Sequence, residues 1–76
     1  MRDDEERIDE AALALLWLTL HDGNRAWKGL DWGVLGRLHA KGLIEDPVGM
    51  VKSVVFTEEG LQQAEALFQK LFTRPD

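Results

Sequence analysis

The 76-residue sequence contains no cysteine. Disulfide cross-links and thiolate metal sites are therefore excluded, and the stability of the fold has to come from side-chain packing. A chain of this length buries only about 60% of the surface that its unfolded form exposes. Its hydrophobic content of 45%, with three Trp and three Phe, is enough for one small core. We expect a single domain over residues 1–76, with an acidic lead-in at 1–4 and a tail at 73–76 that are flexible.

Long apolar runs are also absent. No stretch approaches the roughly 20 consecutive apolar residues that span a bilayer. The first ten residues, MRDDEERIDE, are too charged for a secretory signal peptide. These features predict a cytoplasmic protein that does not bind membranes.

Basic charge is scarce, since the net charge is −5. An acidic balance argues against indiscriminate attraction to nucleic acid, because phosphate binding needs a basic surface. Residues 23–44 differ from the rest, with four basic residues and one acidic residue, a net of +3. Ordinary solvated surface is the favoured interpretation of these cations, and a nucleic-acid-binding surface is the alternative. The candidate nucleic-acid-binding residues are these four cations and one in the following hairpin: Arg25, Lys28, Arg37, Lys41 and Lys52.

Catalytic and metal-binding motifs are missing as well. The sequence has no glycine-rich phosphate loop, no nucleophile elbow and no zinc-ligand spacing. His21 and His39 are far apart, and His39 lies at the edge of an apolar helical arc, where a structural hydrogen bond is expected. We therefore expect no enzymatic activity, no metal ion and no cofactor.

The clearest local structure lies in residues 31–60. Asp31 is a suitable N-cap for a helix that continues with apolar residues at spacings of three and four. Gly42 stands where a left-handed C-cap belongs, with Leu43 placed to contact Leu38. Thr57 is a suitable N-cap for a last amphipathic helix over residues 58–72.

Between these helices the sequence predicts a β-hairpin. Residues 43–44 and 51–56 have the composition of short strands, joined by a turn at 46–49. Because successive side chains of a strand face opposite sides, Val54 and Phe56 are expected to face the core. The segment before Asp31 could add a third strand beside this hairpin, with Trp27 packed inward.

The first helix is predicted from about residue 5 to His21 and is apolar on more than one side. A helix of this kind has to be covered from two directions. We favour a homodimer interface as the second cover, and the alternative is that the hairpin and last helix enclose the first helix within one subunit. The candidate interface residues are Leu13, Trp17 and Leu20 of the helix with Val51 and Val55 of the hairpin.

Glycines within the central helix form a second feature of interest. Gly33, Gly36 and Ala40 lie on one smooth strip, bordered by Arg37 and Lys41. Interior glycines each cost about 1 kcal/mol relative to alanine. We therefore expect close approach of another backbone there, and the first helix is the favoured neighbour over a phosphate backbone.

These elements predict an α+β fold, a small abbreviated winged-helix-like domain in the order helix, short strand or loop, helix, β-hairpin, helix. The run Leu35-x-x-Leu38-x-x-Lys41-Gly42-Leu43-Ile44, followed by Val54-Val55-Phe56-Thr57-x-x-Gly60-Leu61, resembles winged-helix regulators of the multiple-antibiotic-resistance and phenolic-acid-decarboxylase-repressor types. The resemblance implies that Arg37 and Lys41 lie on a DNA-facing side and that Lys52 lies on the wing. The chain departs from those regulators in lacking their second helix.

A second resemblance covers nearly the whole chain. It is carried by the segments Ile8-Asp9-Glu10-Ala11, Ala26-Trp27-Lys28-Gly29-Leu30-Asp31-Trp32, Arg37-Leu38-His39-x-Lys41-Gly42, Asp46-Pro47 and Lys52-Ser53-Val54. These are similar to a family of short uncharacterised bacterial proteins with no established activity, so the resemblance implies no site.

Together these observations predict a small homodimeric protein-interaction module, whose partners are a second copy and possible further proteins. The alternative is a winged-helix transcriptional regulator that binds duplex DNA. The acidic balance and the two-sided first helix favour the interaction module.

Overall fold

The computed structural model describes residues 2–27, 29–48 and 53–74. Its elements follow the order α1 (Glu5–Leu18), β1 (Arg25–Trp27), α2 (Trp32–Ala40), β2 (Ser53–Val55) and α3 (Glu58–Phe72). The predicted α+β class and layout are confirmed. Lys28, Val51 and Lys52 lie outside the described residues, as does the tip of the predicted hairpin.

Helix α1 begins where the sequence predicts but ends earlier. The Asp4 carboxylate accepts a hydrogen bond from the Arg7 backbone N–H at 3.2 Å and so caps the first turn. The helix ends at Leu18 instead of His21. His21 instead forms an antiparallel bridge with Arg25 at the start of β1. The His21 N–H donates to the Arg25 carbonyl at 2.8 Å, and the Arg25 N–H donates to the His21 carbonyl at 2.9 Å.

Helix α2 begins and ends as predicted. The Asp31 carboxylate accepts hydrogen bonds from two backbone N–H groups of the first turn, at 3.0 and 3.3 Å. At the other end Gly42 adopts a φ of 76°, and the Leu43 N–H donates to the Leu38 carbonyl at 3.0 Å. This is the Schellman arrangement that a glycine in the left-handed region permits. His39 Nδ1 lies 3.1 Å from the Ile44 carbonyl, the expected structural hydrogen bond.

The segment before α2 pairs with β2, as predicted, and forms an antiparallel two-stranded sheet. The prediction that Trp27 packs inward is wrong. The register places Ala26 opposite Val54, and Ala26 is fully buried while Trp27 is 56% exposed. Because neighbouring side chains alternate, the inward position of Ala26 forces Trp27 outward, where its ring lies 5.3 Å from that of His21.

The first strand of the predicted hairpin is reduced to a single bridge. Ile44 forms an isolated antiparallel bridge with Phe56, just beyond the end of β2. The Glu45 N–H donates to the Val55 carbonyl at 2.8 Å. Val54 and Phe56 are both buried, which confirms their predicted orientation.

The start of α3 is fixed by Thr57, which confirms the predicted cap. Its hydroxyl accepts from the Gly60 N–H at 3.0 Å and donates to the Gly42 carbonyl at 2.6 Å. One hydroxyl therefore joins the end of α2 to the beginning of α3.

Replacing Thr57 with valine, which keeps the shape but removes both hydrogen bonds, is expected to lower the free energy of unfolding by about 1 to 2 kcal/mol. Urea denaturation measures the change. Thr57→Ser is the matched control because it keeps the hydroxyl. Equal stabilities for the valine and serine variants would contradict a capping role.

The core lies between α1, α3, α2 and the inner face of the sheet. Its fully buried large side chains are Leu13, Leu35, Leu38 and Ile44. Among the described residues no helix has both the length and the apolar character needed to cross a membrane.

Candidate interaction surface

Asp9 is the one charged side chain buried among the described residues, with 2% of its surface exposed. Arg37 Nε lies 3.0 Å from each of its carboxylate oxygens, and Arg37 Nη2 lies 2.9 Å from one of them. Lys41 Nζ lies 2.9 Å from the other oxygen. A buried carboxylate needs such partners, because an unpaired buried charge is strongly destabilising. We call these three residues the Asp9 cluster.

Two further carboxylates surround the Asp9 cluster at the surface. Glu5 Oε2 lies 3.3 Å from Arg37 Nη1, and Glu6 Oε1 lies 3.5 Å from Lys41 Nζ. Both glutamates are on the first turn of α1, so five charged side chains join α1 to α2.

The ionisation of the Asp9 cluster is set by its own contacts. The hydrogen bonds from Arg37 hold the pKa of Asp9 below its ordinary value of 3.8, although burial alone would raise it. The hydrogen bond to Asp9 in turn raises the pKa of Lys41 above its ordinary value of 10.5, and it raises the pKa of Arg37 as well. All three groups are therefore charged at neutral pH.

These contacts bear on the candidate nucleic-acid-binding residues. The structure brings two of the five together, Arg37 and Lys41, and directs both toward the carboxylates of α1. Arg25 lies on β1, where its guanidinium donates to the Ser53 hydroxyl at 3.1 and 2.7 Å. Lys28 and Lys52 are outside the described residues. The two central cations thus serve as a bridge within the domain.

Sequence reasoning missed Asp9, although a signal was available. Asp9 is in phase with Ala12, Leu13 and Leu16, at spacings of three, four and seven, which is the buried face of α1. An acidic residue on such a face, with Arg37 and Lys41 one turn apart elsewhere, predicts a buried ion pair.

The opposite face of α1 carries apolar side chains that the fold leaves open. Ile8 is 41% exposed, Leu15 43% and Leu18 65%. Half-buried Ala11 lies between them on the same face. We call these four residues the α1 stripe. On a helix their spacings of three, four and three place them in one continuous row.

Further exposed apolar groups flank the α1 stripe on both sides. A groove of about 490 Å³ between α1 and the end of α3 is lined by the apolar side chains of Ala11, Leu67, Leu71 and Phe72, and its other lining residues are the charged Arg7, Glu10 and Lys70. A smaller groove of about 170 Å³ joins Leu15 to Trp27. Leu71, Phe72 and Trp27 are each about half exposed. The exposed apolar surface therefore extends beyond the helix itself.

The free apolar face is not the one the sequence predicted. Leu13 is 1% exposed inside a single subunit, so its placement at an outer interface is wrong. Trp17 and Leu20 are half-buried and pack against the same core, and Val55 is half-buried on the sheet. Val51 lies outside the described residues. The core of the domain covers the Leu13 side of α1, and the α1 stripe stays exposed.

The fold and these surfaces define a small α+β domain with an ion-paired link between two helices and an open apolar face. In the described parts of the chain, no three His, Asp or Glu side chains are grouped so that they could hold a metal ion.

The chain belongs to the family described as a domain of unknown function, DUF6429, whose pattern matches residues 4–74. It is 60% identical over 74 residues to the uncharacterized protein y4hR of Sinorhizobium fredii (strain NBRC 101917 / NGR234), covering 97% of this chain and 100% of that protein. No solved structure matches the chain. The predicted membership in a family of short uncharacterised bacterial proteins is confirmed, and the likeness to winged-helix regulators stays a prediction.

Proposed function

We propose that this chain is a protein-interaction module that forms a homodimer through the α1 stripe, and that it acts in the cytoplasm as a binding protein without enzymatic activity. The observation that carries the proposal is the row of three aliphatic side chains, 41–65% exposed, along one face of a single helix. Single exposed apolar residues are normal, whereas a contiguous exposed patch is typical of an interaction site.

The size of the domain supports the same conclusion. A chain of 76 residues has a small core, and domains of this size commonly gain stability by oligomerisation. Apolar surface that is removed from water contributes about 25 cal/mol of stabilising free energy per Å². Covering the α1 stripe therefore adds to the stability of a chain that has no disulfide to rely on.

Leu18→Lys is expected to convert the dimer into a monomer. A leucine that becomes buried on association contributes about 1.5 to 3 kcal/mol to the free energy of dimerisation, and a two-fold interface contains this leucine twice. The dissociation constant of the dimer should therefore rise by about 100-fold or more. Light scattering across a concentration series measures the change.

The matched control for this variant is Val48→Lys. Val48 is 72% exposed, lies in the segment between α2 and β2, and is not part of the α1 stripe. The control should leave the dissociation constant unchanged. Equal effects of the two lysines would show that general charge, and not the α1 stripe, governs association.

The alternative of a DNA-binding regulator has weaker support. It is favoured by the order of a helix, a glycine stop and a strand followed by a helix, and by the basic segment over residues 23–44. Against it, Arg37 and Lys41 are already paired with Asp9. Fluorescence anisotropy with mixed-sequence duplex DNA at low salt distinguishes the two functions, because binding that weakens with salt is expected of the regulator alone.

A further inference from the structure

We infer that the two copies pair with their α1 helices antiparallel, through the α1 stripe. The two-fold axis crosses the α1 stripe at the level of residue 13, midway between Ile8 and Leu18 along the helix. This inference rests on the proposed function, since it specifies how a second copy occupies the same surface. Three observations carry it: the spacing of the α1 stripe, the charge at the start of α1, and the position of the flanking apolar groups.

The spacing of the α1 stripe is symmetric. Ile8 lies as far before residue 13 as Leu18 lies after it, and Ala11 and Leu15 are related in the same way. In an antiparallel pair the two-fold axis places Ile8 opposite Leu18 of the second copy, and Ala11 opposite its Leu15. The surface is thus complementary to itself, which is the requirement of a two-fold interface.

The sizes of the facing side chains match in this arrangement. The small side chain of Ala11 leaves a hollow between its larger neighbours on the α1 stripe. Leu15 of the second copy fills that hollow, in the manner of knobs packing into holes between helices about 8 to 10 Å apart. A parallel pair would instead set Ala11 against Ala11 and leave a gap.

Charge also disfavours the parallel arrangement. Four consecutive acidic residues, Asp3 to Glu6, are exposed at the beginning of α1. Together with Asp9 they carry five negative charges against the three positive charges of Arg7, Arg37 and Lys41 that pair with them, so this end of α1 keeps a net charge of −2. A parallel pair would bring the two acidic ends together. An antiparallel pair separates them by roughly 20 Å, the length of a 14-residue helix, and this exceeds the screening length of about 8 Å at physiological salt.

The flanking apolar groups complete the surface. Leu71 and Phe72 lie beside Ala11 on one side of α1, while Trp27 lies beside Leu15 on the other. In the antiparallel pair the end of α3 extends toward Leu18 of the second copy, and Trp27 extends toward its Ile8. These additions widen a contact that one helix face alone would leave below the roughly 800 Å² per partner of a standard interface.

Cysteine cross-linking tests the geometry directly, because the natural chain contains no cysteine. Ile8→Cys and Leu18→Cys proteins are mixed in urea, refolded together and oxidised, and mass spectrometry identifies which positions are joined. The expected product links position 8 of one copy to position 18 of the other. Neither variant alone should cross-link, because antiparallel pairing holds identical positions about 15 Å apart, beyond the Cα separation of about 7 Å that a disulfide allows.

Val48→Cys, outside the α1 stripe, reports cross-linking by random collision. A dimer in which Ile8→Cys links to itself, or in which no 8-to-18 link forms, would overturn the antiparallel geometry and leave the proposed function standing. A natural chain that stays monomeric at high micromolar concentration would overturn both.

Discussion

Gly60→Ala is expected to destabilise the domain more than alanine at any other glycine that the structure describes. A Cβ atom at Gly60 would lie 1.7 Å from the Leu43 carbonyl oxygen and 2.6 Å from its carbonyl carbon. Both atoms belong to the backbone, so no side-chain rotation can relieve the overlap. The first turn of α3 can therefore reach the chain that follows α2 only if residue 60 has no side chain.

The Leu43 backbone is held on both sides and cannot easily retreat. Its carbonyl accepts from the Thr57 N–H at 3.1 Å, and its N–H donates to the Leu38 carbonyl at 3.0 Å. Overpacking in a core commonly costs about 1 to 3 kcal/mol, and a clash between two fixed backbones should exceed this range. The total stability of a chain of this length is about 4 to 11 kcal/mol. We expect the melting temperature to fall by more than about 12 °C.

Gly36→Ala is the matched control, since it places the same methyl group in another helix. A Cβ at Gly36 would meet no atom within 4 Å, so the variant should be more stable by up to about 1 kcal/mol. Calorimetry of the two variants is the measurement, and a similar loss in both would contradict this assignment. The open space at Gly36 also shows that the prediction of tight packing of this glycine on α1 is wrong.

Asp9→Asn is expected to lower the free energy of unfolding by about 3 kcal/mol. Removing one partner of a buried ion pair costs about 3 to 5 kcal/mol. The lower end applies here because the side chains of Arg37 and Lys41 remain about one-third exposed and keep contact with water. Urea denaturation at neutral pH measures the loss. Glu5→Gln removes a charge from a side chain that is 66% exposed and should cost less than about 1 kcal/mol.

The pH dependence of this difference follows from the direction of the pKa shifts. The folded state lowers the pKa of Asp9, so its stabilisation is complete above 3.8, the ordinary value, and is lost as pH falls through the lower folded value. The folded state raises the pKa of Lys41, so its stabilisation is complete below 10.5 and is lost as pH rises through the higher folded value. The gap in stability between the natural chain and Asp9→Asn should therefore be constant near neutrality and narrow at both extremes. A gap that did not change with pH would contradict an ionic origin.

The parts of the fold that the sequence predicts are those decided within a few residues. Asp31, Gly42 and Thr57 are caps, and each needs only the backbone of its own helix end to act. The alternation that buries Val54 and Phe56 is equally local.

The features that the sequence does not settle depend on distant contacts. Both sides of α1 are apolar, so the choice of the Leu13 side as the core face comes from packing against α3 and the sheet, and not from α1 itself. The outward position of Trp27 follows from its register with β2. The burial of Asp9 depends on Arg37, 28 residues further along the chain. Such pairings are invisible to periodicity within one segment.

The sequence therefore predicts an uncovered apolar face on α1 but assigns the wrong residues to it. The apolar helix α1 does have an uncovered face. That face consists of Ile8, Leu15 and Leu18, whereas the predicted residue Leu13 is buried in the core. Excess apolar character is readable from composition, whereas the side that stays exposed is known only once the core is assembled.

The most direct test of this account is the mass of the natural chain in solution. Sedimentation velocity from low to high micromolar concentration should show a species of twice the 8.6 kDa chain mass, which dissociates on dilution. A single 8.6 kDa species throughout that range would contradict the claim that a second copy covers the α1 stripe.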